Sequence, residues 1–179
     1  MVFKISLAGD LGSGKSTVAK ILSAKFGAEI ISAGKIQRQL AAELGLKIDE
    51  FNVLMEKDGS YDKKLDDMLA EYDDFSGNYI FDSRMSWHFV PSATSFYLKT
   101  EPKTAAERVF CACREDESYC DKDEAYKRLK LRRDSEIKRY KEYYGQDITD
   151  MRNYDFVVDT TYLTPQEVAL KIEKLYFKR

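Results

Sequence analysis

Gly9-Asp-Leu-Gly-Ser-Gly-Lys-Ser16 spends three of eight positions on glycine and ends on a lysine and a hydroxyl. Glycines at that spacing let successive backbone N–H groups turn inward around an anion, and the start of a following helix adds partial positive charge. Gly9, Gly12, Ser13 and Gly14 then form a cradle for a chain of phosphates. Lys15 supplies a point charge to its outer groups, the Ser16 hydroxyl suits a magnesium ligand, and Thr17 continues the turn. A ligand-free glycine turn has no need of the Lys-Ser pair at that offset.

Three further groups extend this chemistry. Asp82 closes the apolar run Asn78-Tyr-Ile-Phe-Asp82, and from the end of a strand beside the loop it would hold the magnesium shell. Ser32 and Gly34 open a helical segment carrying Arg38, an arrangement that binds a second phosphate through backbone amides and a guanidinium fork; Arg84 follows Asp82 by two residues. Late in the chain, Arg128, Arg132, Glu136 and Arg139 are spaced 4, 4 and 3 apart on one helical face, and Arg108 on the preceding helix could join them. A solvated face would alternate its signs, whereas this one gathers guanidiniums around a single carboxylate. It is expected to close over phosphates. Asn-Lys-x-Asp, which reads guanine in GTP-binding switches, is absent from the sequence.

These residues need a scaffold that delivers them to one edge. Apolar runs at 2–8, 28–32, 78–82, 94–99 and 154–160 read as strands, and segments 15–26, 34–44, 49–57, 62–72, 102–114, 122–143 and 165–177 read as helices. Alternation of this kind implies an α/β fold, a parallel sheet covered on both faces, with ligands at the carboxyl ends of its strands. Gly27 and Gly45 mark helix stops, and Pro165 marks a helix start.

Composition narrows the field. A chain of 179 residues with 44% hydrophobic content is read as a single domain, 1–179. Lys and Arg number 29 against 31 for Asp and Glu, so neither a nucleic-acid nor a membrane partner is expected, and any positive field must be local. With no apolar run near about 20 residues, and no export signal, the expected location is the cytoplasm and the expected state a monomer or weak homo-oligomer. Cys111, Cys113 and Cys120 with His88 offer the ligand types zinc takes, but they lack paired Cys-x-x-Cys spacing, and side chains two apart on a helix diverge. Reduced thiols are expected.

The ordered series GDLGSGKSTVAKILSAKFG, ISAGKIQRQLAAELGLKIDEF, IFDSRMSW, TSFYLKTEPKTAAERV, RRDSEIKRYKEYYGQDITD and YDFVVDTTYLTPQEV resembles the nucleoside monophosphate kinases, most closely the short cytidylate kinases of archaeal type. That resemblance implies a three-layer P-loop kinase fold with a five-stranded parallel sheet, a monophosphate-binding insertion at about 33–74 and a lid at about 111–135. It implies ATP and Mg2+ as cofactors and small-molecule nucleotides as partners. Arg38 and Arg84 would contact the acceptor, and Arg108, Arg132 and Arg139 would surround the transferring phosphoryl group. The sequence departs from the pattern at Ser83-Arg84-Met85, Trp87-His88 and Lys35, all near the expected acceptor base. Trp87 is read either as a base-stacking platform or as core. A P-loop kinase for another metabolite and a nucleotide-binding module without transfer remain the alternatives.

Overall fold

The run Lys4–Gly9 forms β1, buried along its whole length, as a strand covered on both faces must be. The computed structural model describes residues 2–112 and 119–178, apart from the side chain of Leu65. β1 leads into α1 (Lys15–Phe26), β2 (Glu29–Ser32), α2 (Ala33–Glu43), α3 (Ile48–Lys57), α4 (Ser60–Glu71) and β3 (Tyr79–Asp82). There follow α5 (Ser86–Phe89), β4 (Thr94–Lys99), α6 (Pro102–Cys111), α7 (Lys122–Tyr144), a 3-10 turn (Met151–Asn153), β5 (Phe156–Asp159) and α8 (Pro165–Tyr176).

All strand pairs are parallel and the order is β2-β3-β1-β4-β5. The chain therefore runs to one side of β1 for β2 and β3 and to the other for β4 and β5. Beside β1 lies the point where the strand order reverses and a crevice opens at the carboxyl ends. Register fixes what meets there: Asp82 pairs with Leu7 on one side and Ser32 on the other. Packing of α1 and α8 against one face buries Ile5, Leu7, Val18, Leu22, Phe96, Leu98 and Ile172. Helices α2 and α3 bury a smaller core of their own around Ala41, Ile48, Phe51 and Met55.

The sequence-based elements are recovered, most with ends shifted by one or two residues. The first strand starts at Lys4 because Phe3 N–H donates instead to Asn78 Oδ1 at 2.9 Å. The last is shorter because the Asp155 carboxylate takes the Ser95 N–H at 2.8 Å. Gly27 does end α1 in the left-handed region. Two short pieces were not anticipated, α5 and the 3-10 turn, since four and three residues carry no readable period. The fifth predicted helix, 102–114, is seen as α6 to Cys111; its last two predicted positions, Cys113 and Arg114, lie outside the described residues.

Helix α7 fastens the α2–α4 insertion to the sheet. Arg128 pairs with Asp49 on α3, the Tyr143 hydroxyl donates to the carbonyls of Met55 and Glu56 at 3.1 and 3.0 Å, and Arg139 Nε stands 3.6 Å from Asp62 Oδ2 on α4. Burial pushes the Asp62 and Asp66 carboxyls up, to about 6 and about 7. A carboxyl whose folded pKa exceeds its unfolded value near about 3.9 favours folding while protonated. That contribution is present at low pH and fades as pH rises through the folded value. Stability should therefore fall between about pH 4 and about pH 7, and Asp66→Asn should flatten the slope. Urea unfolding across that range checks it, and an unchanged slope in the variant would refute it.

Candidate active site

The loop after β1 has the backbone its glycines were expected to supply. Gly12 and Gly14 sit at φ of 75° and 88°, and a Cβ on Gly12 would lie 2.6 Å from the Ala105 carbonyl oxygen, so neither position accepts a side chain without strain. Gly9 closes β1, and Ser13 is buried inside the turn. Lys15 Nζ folds across the loop, donating to the carbonyls of Gly9 (3.1 Å) and Asp10 (2.6 Å) and to Ser13 Oγ (3.3 Å). Burial, then the neighbouring Arg84, holds its pKa well below the ordinary lysine value.

One cleft is lined by Gly12, Gly14, Lys15, Ser16 and Thr17 from the loop, by Ser32, Gly34 and Arg38 from α2 and its cap, by Asp82 and Arg84 after β3, and by Arg132 from α7. Both α1 and α2 start on its wall with no acidic residue in the first turn, so two positive helix ends face the same space. The Ser32 side chain caps α2, accepting from Lys35 N–H at 3.3 Å, and Lys35 itself is exposed. Four cationic side chains, Lys15, Arg38, Arg84 and Arg132, meet two carboxylates, Asp82 and Glu136.

Asp82 Oδ2 accepts from Ser16 Oγ at 2.7 Å and from Ser32 Oγ at 3.4 Å. A hydroxyl and a carboxylate converging at the mouth of the loop are hard oxygen donors of the kind magnesium takes beside phosphates. Among the described residues no cluster of three or more His, Cys, Asp or Glu could hold a metal ion.

The structure does not bring every expected residue to this cleft. At 3.6 residues per turn, Leu129, Arg132, Glu136 and Tyr140 fall within a sector of about 80° that faces the cleft, while Arg128 and Arg139 lie just beyond its edge. Those two turn to the insertion: Arg139 is 1% exposed beside Asp62, and Arg128 meets Asp49. Arg108 is also elsewhere. Its guanidinium donates to Thr160 O at 2.7 Å and Thr161 O at 3.2 Å, where it lines a hollow of about 350 Å³ on the other flank of the loop, with Thr17, Val18, Leu163 and Pro165. Trp87 packs on Tyr154, ring centroids 5.7 Å apart, and is not among the residues lining the cleft. Cys111 and Cys120 are free and exposed.

Gln37 and Tyr140 line the cleft without having been anticipated, and Ser83, expected near the acceptor base, lines it too. Gln37 follows Gly34 by three, and Tyr140 follows Glu136 by four, so helical spacing carried a signal for both. Asp10 was also overlooked. Its carboxylate accepts from Tyr97 OH (2.5 Å) and Thr100 N–H (2.8 Å), and Arg133 Nη2 donates to that same tyrosine at 2.8 Å, tying α7 to the loop.

A five-stranded parallel sheet with a phosphate-type loop after its central strand and helices on both faces is the P-loop kinase fold. A shikimate kinase from Acinetobacter baumannii shares it, with a TM-score of 0.62 at 16% identity over 99% of this chain and 94% of that one. The profile of the cytidylate kinase-like family matches residues 4–162, and the chain belongs to that family of phosphotransferases. Cytidylate kinase of Sulfolobus acidocaldarius is 38% identical over 168 residues, covering 93% of this chain and 90% of the relative. That of Methanocella arvoryzae is 36% identical over 157 residues, covering 88% and 87%. An S-adenosylmethionine-dependent nucleotide dehydratase of Lacinutrix mariniflava is 35% identical over 99% of this chain, which spans 37% of that longer protein. Among the described residues no helix is long and apolar enough to cross a membrane.

Proposed function

We propose that this protein transfers the γ-phosphoryl group of ATP to a nucleoside monophosphate, CMP or dCMP, giving the diphosphate. The observation that carries the proposal is the meeting of Lys15, Ser16 and Asp82 with Arg38, Arg84 and Arg132 in one cleft, since a protein that only bound a triphosphate would have no use for a second set of cations. Names of the relatives supply the choice of cytosine.

In this reading the loop amides and Lys15 hold the donor's phosphates, and the hollow beside Arg108 receives its nucleoside. Ser32, Gly34 and Arg38 hold the acceptor phosphate, Arg84 stands between the two, and Arg132 offsets charge on the group in transit. Arg139, kept on Asp62, positions α7 against α4 rather than touching substrate. Ser16 and Asp82 would hold Mg2+, which when bound neutralises charge on the donor's outer phosphates. The acceptor's second pKa lies near about 6, so it arrives largely ionised and needs little help from a base. Alignment and charge neutralisation remain as the protein's tasks, along with exclusion of water that would otherwise accept the phosphoryl group.

A coupled assay of ADP release with magnesium ATP, run against ribo- and deoxy-monophosphates and against shikimate, tests this. Acceleration by CMP and dCMP is expected; none with any monophosphate would reject the reading. Asp82→Asn should raise the magnesium concentration needed for half-maximal rate by about tenfold and lower the maximal rate by about 10²-fold. Titration with Mg2+ at fixed ATP reads both, and an unshifted magnesium curve would remove Asp82 from the metal site.

A further inference from the structure

Glu136 stands on the cleft wall, 5% exposed, where phosphates are proposed to meet. Arg84 Nε donates to its Oε2 at 2.9 Å and Arg84 Nη2 to its Oε1 at 3.5 Å, while Arg132 Nε lies 3.4 Å from Oε1. Burial alone would raise its pKa, but Arg84 and Arg132 hold the carboxyl down at about 2, so it is an anion throughout the working range. A fixed negative charge among polyanionic ligands opposes their binding. Its value must lie in the state that precedes them.

Two largely buried guanidiniums lining one cleft repel one another and lose conformational freedom in holding still. A carboxylate presents oxygens to a guanidinium fork in the same bidentate way as a phosphate does. We propose that Glu136 is a positioning residue that takes the place of an incoming phosphate, holding Arg84 and Arg132 in the cleft until a phosphate-bearing ligand displaces it. The inference rests on the reading of the cleft as a phosphate site. Every phosphate that binds competes with an internal anion, so a ligand offering one isolated group to these arginines gains little, whereas one anchored elsewhere, by the loop or by Arg38, prevails.

This arrangement predicts opposite signs for affinity and turnover. Removing the charge frees both arginines for external anions while leaving them less ordered for transfer. Calorimetric titration of the full-length protein with inorganic pyrophosphate should show Glu136→Gln binding roughly five- to tenfold more tightly than wild type, with kcat for CMP about tenfold lower. A merely structural role predicts that affinity and kcat fall together, and an unchanged or weakened pyrophosphate affinity in a folded variant overturns the proposal. Should Glu136→Gln fail to fold, Glu136→Asp keeps the charge but withdraws it by one methylene, and at least a twofold tightening is expected; its absence is equally fatal. Failure of the wider reading looks different: wild type would then bind neither pyrophosphate nor CMP and transfer nothing. A wild type that is active, beside a variant that does not tighten, rejects the role of Glu136 alone.

Discussion

Replacing Lys15 by methionine should lower phosphoryl transfer by about 10³-fold while shifting the melting temperature by no more than about 4 °C. The asymmetry follows from where the ammonium sits. It makes three hydrogen bonds, to Gly9 O, Asp10 O and Ser13 Oγ, each worth about 1 kcal/mol net. Against them stands the cost of keeping a cation in a buried site beside Arg84, the same cost that depresses its pKa. Methionine fills much of the same volume without that penalty, so folding loses little. Transfer loses the charge that follows the migrating group, a contribution made fully only as the transition state forms. Single-turnover rates and thermal melts on the same preparations decide the matter. Parallel loss of folding and activity would contradict the assignment.

Arg84→Met should behave differently, costing about 3 kcal/mol of stability as well as abolishing turnover. Burial alone would lower the pKa of this guanidinium, yet the facing Glu136 more than offsets it, so the pair is coupled strongly. Truncating one member leaves the Glu136 carboxylate buried with Arg132 as its remaining close cation in the cleft. Adding Glu136→Leu to Arg84→Met should then restore more than half of the lost stability, because a buried pair replaced by apolar groups costs far less than half a pair. Activity should stay at least 10²-fold down in the double variant, since the cation is still missing. Urea unfolding of the wild type, both single variants and the double variant closes the cycle. Strictly additive costs would show that the two side chains act independently.

Sequence patterns located the elements well where a physical period was long enough to read. Thr94-Ser-Phe-Tyr-Leu-Lys99 is a strand to the residue, and Lys15–Phe26 is bounded by glycines that only a turn would favour. Spacing was equally informative for the turn after β1, because Gly12 and Gly14 take the positive φ that its glycines allow, within a run of consecutive residues. Long-range partners were not legible. Arg84 and Glu136 are 52 positions apart, and nothing in either local sequence announces the other. The same limit explains Arg139. It was expected on the face shared with Arg132 and Glu136, but it lies just beyond that sector and meets Asp62, delivered by a different helix from 77 residues upstream. Arg108 likewise sits on the expected helix, but Thr160 and Thr161 at the end of β5 draw it to the opposite flank of the loop. Short pieces such as Ser86–Phe89 escaped because four residues complete barely one turn.

Helix α7 runs unbroken for 23 residues, about 35 Å at 1.5 Å per residue. Arg133 grips the loop through Tyr97, Arg132 and Glu136 front the cleft, and Arg128, Arg139 and Tyr143 grip the insertion. Held to the loop near its middle and to α3 and α4 on either side, the rod cannot shift against one without shifting against the other. On the proposed reading of the cleft, a ligand that shifts α7 on the Arg38 side is felt at the loop, and by thermodynamic reciprocity the coupling is equal in both directions.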